Sequence, residues 1–177
     1  NHTSHTTAAG PGIDFVEAVA RLSGGRVLLV GDLMLDETIR GAAERLSPDA
    51  PVPVLSIDGD EAIDRRPGGT GNVAACLRGL EMEVAVVGLV GDDDAGRHLT
   101  AELEANGCEV GGVVVDASRP TTVKRSLVGL AQHRHPQKMF RLDVESRRPA
   151  DDAIVGRLLE AIDARLDGVD CVCLEDY

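Results

Sequence analysis

The stretch Arg26-Val27-Leu28-Leu29-Val30-Gly31 is an apolar run closed by a glycine, which is typical of a strand buried on both faces. Comparable runs follow at 83–88, 112–115 and 169–174. Segments with helical periodicity alternate with these runs, at 73–80, 94–106 and 151–166. Buried strands that alternate with helices predict an α/β fold in which a parallel sheet carries helices on both faces.

Two further segments, within 38–57 and 121–143, do not belong to that pattern because they alternate polar and apolar residues. Such alternation is typical of strands that are solvated on one face. We therefore predict a small separate sheet that stands off the main one and includes a hairpin between 121 and 143.

The two ends of the chain are unlike its middle. Residues 1–12 are rich in Ser, Thr, His and Gly and offer little to bury, so we predict a disordered tail there. The folded domain is then expected over 13–177. Because the chain stops just after its last strand, we interpret this domain as the N-terminal portion of a larger one.

Composition and charge exclude several classes of function. The 177 residues include 18 Lys and Arg against 30 Asp and Glu, which gives a formal net charge of −12. Such a surface repels nucleic-acid backbones and anionic lipid heads, so neither nucleic acid nor membrane is an expected partner. The four cysteines lack disulfide and metal-ligand spacing, and no signal-peptide pattern begins the chain. We therefore expect a cytoplasmic protein with no metal site among these residues.

Two motifs at predicted strand and helix ends could carry chemistry. Asp32 and Asp36 follow the first buried strand, where carboxylates can accept hydrogen bonds from sugar hydroxyls, bind a cation or cap a turn. The glycine-rich stretch 67–72 opens a helix, and its glycines would let a ligand approach the backbone closely. It also fits the relaxed dinucleotide pattern G-x-G-x-x-A, but no buried strand precedes it.

Two other motifs have both structural and functional interpretations. The acidic run Asp92-Asp93-Asp94 could bind a metal, although such carboxylates more often favour the start of the next helix. The predicted hairpin is basic in a strongly acidic chain, which suits either an anionic small ligand or a solvated edge strand protected by charge. Its basic residues are Lys124, Arg125, Arg134, Lys138 and Arg141.

Taken together, these motifs resemble the ribokinase-like carbohydrate kinases. The motifs in chain order are Gly31-x-x-x-x-Asp36, Gly68-Gly69-Thr70-Gly71-Asn72 and Gly88-x-x-Gly91-x-Asp93-x-x-Gly96. The resemblance implies a small β lid over a sugar, with Asp36, Gly68, Gly69 and Asn72 as sugar-binding residues. It also implies ATP and Mg²⁺ for the full-length protein, and a homodimer through the lid strands.

Within that family, four runs resemble the kinases of heptose 7-phosphate. They are Arg45-Leu46-Ser47-Pro48-Asp49-Ala50-Pro51-Val52-Pro53-Val54, Arg66-Pro67-Gly68-Gly69, Pro120-Thr121-Thr122-Val123-Lys124 and Arg141-Leu142-Asp143-Val144-Glu145. This resemblance implies phosphorylation of the anomeric hydroxyl in the synthesis of ADP-heptose for lipopolysaccharide. Lys124 and Arg141 would hold the 7-phosphate, and Asp176 would also contact substrate.

The resemblance places the family's catalytic Asp beyond Tyr177, so no catalytic residue is assigned and the isolated chain is expected to be inactive. Two other functions remain open from the sequence. One is a kinase of the same fold that acts on another sugar or a nucleoside. The other is a non-catalytic module that binds a sugar phosphate.

Overall fold

The described residues form two β-sheets, one of parallel strands and one of mixed direction. The computed structural model describes residues 16–17, 24–59, 62–130 and 135–177, so the tail predicted for 1–12 lies outside the described residues. In chain order the elements are β1 Arg26–Gly31, β2 Leu33–Leu46, β3 Pro53–Ser56, β4 Ile63–Gly69, α1 Thr70–Gly79, β5 Glu83–Val90, α2 Asp94–Ala105, β6 Glu109–Val115, β7 Thr122–Leu130, β8 Gln137–Val144, α3 Asp152–Asp163 and β9 Cys171–Glu175.

The main sheet has the strand order β6-β5-β1-β9, and every pairing in it is parallel. Successive side chains on a strand face opposite ways, so this sheet buries residues on both faces. Leu29 belongs to a core cluster with Leu99 and Leu103 of α2, whereas Leu28 faces the other way and is equally inaccessible. On that second face α3 packs against β5 and β6, with Ile154 buried. The α/β fold with helices on both faces is confirmed.

The second sheet, which we call the lid, contains β2, β3, β4, β7 and β8. β2 lies between β7, to which it is parallel, and the antiparallel β3 and β4. The lid extends beyond the segments 38–57 and 121–143 that the sequence predicted for it. β2 begins earlier, at Leu33, and residues 63–69 add a further strand. Only one side of β4 pairs, with β2, which accommodates its charged residues and Pro67.

The helices begin and end close to where the sequence places them. α2 ends before Gly107, whose φ of 80° is the left-handed conformation expected at a helix C-terminus. α1 begins at Thr70, three residues before the predicted start, because the chain turns sharply from β4 at Gly69. Within the described ranges, none of these helices is long and apolar enough to cross a membrane.

Candidate functional site

The main sheet and the lid meet at Asp32, the single residue between β1 and β2. The backbone N–H of Thr70 donates to the carbonyl of Asp32 at 3.2 Å, and the N–H of Asp32 donates to the carbonyl of Glu175 at 3.1 Å. The N–H of Tyr177 also donates to Asp32 Oδ2, at 2.9 Å. These bonds hold the carboxyl ends of β1 and β9 and the start of α1 together beneath the lid. Ligands of open α/β sheets bind at this end of the strands.

A cavity of about 440 Å³ lies between the lid and the start of α1. Its lining residues are Met34, Asp36, Glu37, Thr38, Gly69, Asn72, Lys124, Ser126, Lys138, Arg141 and Tyr177. The structure therefore brings together Asp36, Gly69, Asn72, Lys124 and Arg141, which the sequence proposed as substrate-binding residues. We call this space the lid cavity.

Asp36 lies near the start of β2, directly opposite Arg66 on β4 and Lys124 on β7. The residue is exposed, and its carboxylate accepts no side-chain hydrogen bond from the described residues. Gly68 explains how the carboxylate fits, because a Cβ at that position would lie 2.6 Å from Asp36 Oδ2. A glycine there leaves room for the carboxylate, which remains available to a ligand.

Gly69 and Asn72 lie at the turn from β4 into α1. Gly69 has φ 53°, which favours glycine, and a Cβ there would lie 2.8 Å from the carbonyl oxygen of Asp32. Asn72 is exposed in the first turn of α1 and lines the lid cavity. An amide side chain can both donate to and accept from a hydroxyl. The turn thus presents a hydrogen-bonding group beside the carboxylate of Asp36.

Three cationic side chains line the other part of the lid cavity: Lys124 on β7, and Lys138 and Arg141 on β8. The Lys124 Nζ lies 5.4 Å from the ring centroid of Tyr177. Arg141 is opposite Ser126 in the hairpin and donates to Asp143 Oδ2 at 2.7 Å. The cavity thus holds a carboxylate and an amide together with three cationic side chains.

The sequence predicted Lys138 only as one of the basic residues of the hairpin, and it did not predict Tyr177 as a site residue. A register shift between Leu127 and Val128 brings Lys138 into the cavity, and the alternation of the sequence gives no sign of such a shift. Tyr177 follows β9 and lines the lid cavity as well as a neighbouring cavity of about 410 Å³. Asp176, which the sequence proposed as a substrate contact, is exposed beside it and lines neither cavity.

The acidic run after β5 has a structural role through Asp93. Its carboxylate accepts hydrogen bonds from Gly96 N at 2.9 Å, Thr121 N at 2.9 Å and Thr121 Oγ1 at 2.7 Å. Burial opposes ionisation, but the hydrogen bonds from Thr121 and Gly96 hold the pKa of Asp93 below its usual value. Asp93 therefore caps α2 and also holds Thr121, the residue directly before β7.

The described part of the chain contains no group of three or more His, Cys, Asp or Glu that could hold a metal ion. The carboxylates at the lid are instead separated: Asp36 is flanked by Arg66 and Lys124, and Asp143 is paired with Arg141. We therefore derive no metal-dependent step through these residues.

A parallel α/β sheet whose strand ends lie under a β lid is the fold of the ribokinase-like carbohydrate kinases. The model of the pfkB family of carbohydrate kinases matches residues 41–135, more than half of the chain. The chain belongs to this family, as the sequence motifs predicted. Kinases of this family are phosphotransferases.

Similar proteins make the comparison more specific. The chain is 41% identical over 152 residues to the bifunctional protein HldE of Helicobacter hepaticus, covering 86% of this chain and 30% of that protein. It is 40% identical over 167 residues to the bifunctional protein HldE of Bradyrhizobium diazoefficiens, covering 94% and 33%. The chain spans about a third of the length of these curated relatives.

A solved structure supports the fold alone. The carbohydrate kinase from Agrobacterium tumefaciens superposes with a TM-score of 0.60 at 20% sequence identity. The match covers 85% of this chain and 45% of that chain.

Proposed function

We propose that the protein is an ATP-dependent kinase that phosphorylates heptose 7-phosphate at its anomeric hydroxyl, in the synthesis of ADP-heptose. The observation that carries this proposal is the lid cavity, which brings the carboxylate of Asp36 together with the cationic side chains of Lys124, Lys138 and Arg141. A sugar that already bears a phosphate has both hydroxyls for the carboxylate and negative charge for the cations. The similarity to the HldE proteins supports the same substrate.

In this proposal the sugar ring lies between β2 and the start of α1. Asp36 and Asn72 bond its hydroxyls, and Gly68 and Gly69 permit the close approach. A hydrogen bond to a charged group contributes about 1.5–3 kcal/mol, so the Asp36 carboxylate would account for a large part of the affinity. Asp176, which follows β9 and lies outside the lid cavity, would contact substrate from the side of the main sheet.

Lys124 and Arg141 hold the 7-phosphate. A phosphate ester carries close to two negative charges and needs cationic partners, and a guanidinium can donate two parallel hydrogen bonds to it. Arg141 is already oriented by Asp143, and Lys124 reaches the same cavity from the neighbouring strand. Lys138 adds a third cation that the phosphate can approach.

ATP and Mg²⁺ complete the reaction in the full-length protein. Phosphoryl transfer depends mainly on positioning and electrostatics, and Mg²⁺ would neutralise charge on the transferred phosphate. The described residues contribute the sugar side of that arrangement. We also propose that two copies associate through their lid strands.

The test is to titrate the full-length protein with heptose 7-phosphate and with unphosphorylated heptose. Lys124→Ala or Arg141→Ala should each weaken binding of the phosphorylated sugar by about 1.5–3 kcal/mol. Binding of the unphosphorylated sugar should change little, and the loss should shrink as salt rises. Arg97→Ala is the matched control, because Arg97 is an exposed arginine on α2 that pairs with Asp92 and Asp94.

Each opposing result has a definite meaning. Equal losses for the two sugars would assign Lys124 and Arg141 structural roles. A wild-type protein without preference for the phosphorylated sugar would overturn heptose 7-phosphate as the substrate. Sugar binding without any ATP turnover by the full-length protein would contradict kinase activity.

A further inference from the structure

Glu37 lines the lid cavity next to Asp36, and its carboxylate accepts hydrogen bonds from two arginines on different strands. Arg65 Nε donates to Glu37 Oε1 at 2.9 Å, and Arg125 Nε donates to Glu37 Oε2 at 2.5 Å. The side chain of Glu37 is 7% exposed, whereas those of the two arginines are about one-third exposed. We call these three residues the back cluster.

The back cluster lies in register with the residues that face the cavity. Across β4, β2 and β7, Arg65, Glu37 and Arg125 form one row. The adjacent row is Arg66, Asp36 and Lys124, one residue away on each strand. Side chains alternate between faces, so the back cluster is directed away from this adjacent row, of which Asp36 and Lys124 line the lid cavity.

This arrangement connects the positions of Asp36 and Lys124. A strand that slips by one residue moves every side chain to the opposite face, and strands that are polar on both faces specify their register weakly. The two oxygens of Glu37 accept from the two flanking strands at once, so a slip or a widening of either pairing would break a charged hydrogen bond. The cluster therefore fixes the register of β4, β2 and β7 next to Asp36 and Lys124, where the ligand is expected to bind.

The charge state of the back cluster suits this role. Burial opposes the ionised form, but the hydrogen bonds and charges of Arg125 and Arg65 hold the pKa of Glu37 below its usual value. Loss of the carboxylate would leave two arginines without their acceptor. A buried carboxylate between two arginines also gives little net stability compared with apolar packing, so stability alone does not account for it.

We propose that Glu37, with Arg65 and Arg125, is a positioning residue that sets the separation between Asp36 and Lys124 and thereby selects sugars that bear a phosphate. The inference rests on the proposed function, in which Asp36 binds hydroxyls and Lys124 binds the phosphate. A ligand that contacts both strands depends on their spacing. A sugar without phosphate contacts only the Asp36 side and depends on it less.

The test measures the affinities of heptose 7-phosphate and unphosphorylated heptose, with the unfolding temperature, for Glu37→Gln in the full-length protein. The affinity for the phosphorylated sugar should fall by on the order of tenfold to a hundredfold, as for other supporting residues behind a binding site. The affinity for the unphosphorylated sugar should fall much less. Arg125→Gln should behave similarly, whereas Arg125→Lys should retain part of the preference.

The control is Glu109→Gln, which removes a carboxylate bonded twice by Arg165, at 2.6 and 3.0 Å, on the main sheet. It should lower the unfolding temperature without changing the ratio of the two affinities. If Glu37→Gln does not fold, Arg65→Gln and Arg125→Gln, which each leave Glu37 one arginine, decide the question.

The outcomes separate the two proposals. A wild-type protein that prefers the phosphorylated sugar, with variants that keep the same ratio, overturns the positioning role alone. Variants that lose both affinities in proportion to their stability also overturn it, since that result indicates a structural role. A wild-type protein without any preference overturns the proposed function and this inference together.

Discussion

The carboxylate of Asp36 depends on its neighbours for both space and orientation. Gly68 provides the space, since any Cβ there would meet Asp36 Oδ2 at 2.6 Å. The flanking positions are held by Arg66 and Lys124 in the paired strands. The result is a carboxylate at the lid cavity whose two oxygens can accept from a pair of neighbouring hydroxyls.

Asp36→Asn should therefore weaken binding of the sugar in the full-length protein by about 1.5–3 kcal/mol, because the charged acceptor is replaced by a neutral amide. The affinity for ATP should be nearly unchanged. Isothermal titration with each ligand measures both quantities, and a thermal melt measures stability.

The control is Asp94→Asn, which changes an exposed carboxylate on α2 and should leave sugar binding unchanged. If Asp36 only shaped the lid, its variant would lose thermal stability and bind sugar normally. That result would remove Asp36 from the site.

The sequence predicted which residues line the lid cavity better than it predicted their contacts. Asp36, Gly69, Asn72, Lys124 and Arg141 were proposed from motifs and the structure brings them to one cavity. The pairing of Glu37 with Arg125 joins residues 88 positions apart, so it depends on which strands lie side by side. That information is absent from local alternation.

At the scale of the elements, strand order decides how much of an apolar run is buried. The sequence predicted a final strand at 169–174, and Leu174 in β9 is 75% exposed. Within the described residues β9 is at the edge of the sheet and pairs only with β1. The apolar stripe of α3 is likewise partly exposed, with Leu159 at 56%. Composition predicts a strand but not its place in a sheet.

The connection between β6 and β7 is held by Asp116, which is buried. It accepts from Ser118 N at 2.9 Å and from Arg119 Nε at 2.6 Å. Arg119 also donates to the carbonyls of Arg148 and Pro149, each at 3.0 Å. The carboxylate thus orients Arg119, which connects the segment before β7 to the segment that follows β8.

This contact predicts acid sensitivity. Hydrogen bonds from Ser118, followed by that from Arg119, lower the pKa of Asp116 from 3.8 to about 2. Since the folded-state pKa is depressed, the contribution to stability is complete above pH 3.8 and is lost as the pH falls through about 2. Urea unfolding between pH 4 and pH 2 should show a smaller decline for Asp116→Asn than for the wild type. Identical declines would exclude this contribution.

At the scale of the whole molecule, charge and apolar surface are unevenly distributed. The chain carries a formal net charge of −12, while the lid cavity gathers three cations. These cations favour the approach of an anionic sugar to the cavity. The face of the lid opposite Lys124 and Ser126 instead exposes apolar side chains. Phe140, which pairs with Leu127, is 62% exposed, and Leu142 beside it is 45% exposed.

These exposed apolar residues support the proposed homodimer through the lid. An aromatic side chain and a neighbouring leucine on an exposed strand are typical of a contact that another protein surface covers.

We expect the full-length protein to sediment as a dimer and Phe140→Asp to shift it to a monomer, because a carboxylate buried in such a contact would lack a partner. Leu80→Asp is the control, because Leu80 is 49% exposed at the end of α1, away from the lid. Analytical ultracentrifugation over a range of concentrations makes the comparison. A wild-type protein that stays monomeric throughout, or a dimer that Phe140→Asp leaves intact, would contradict association through this face.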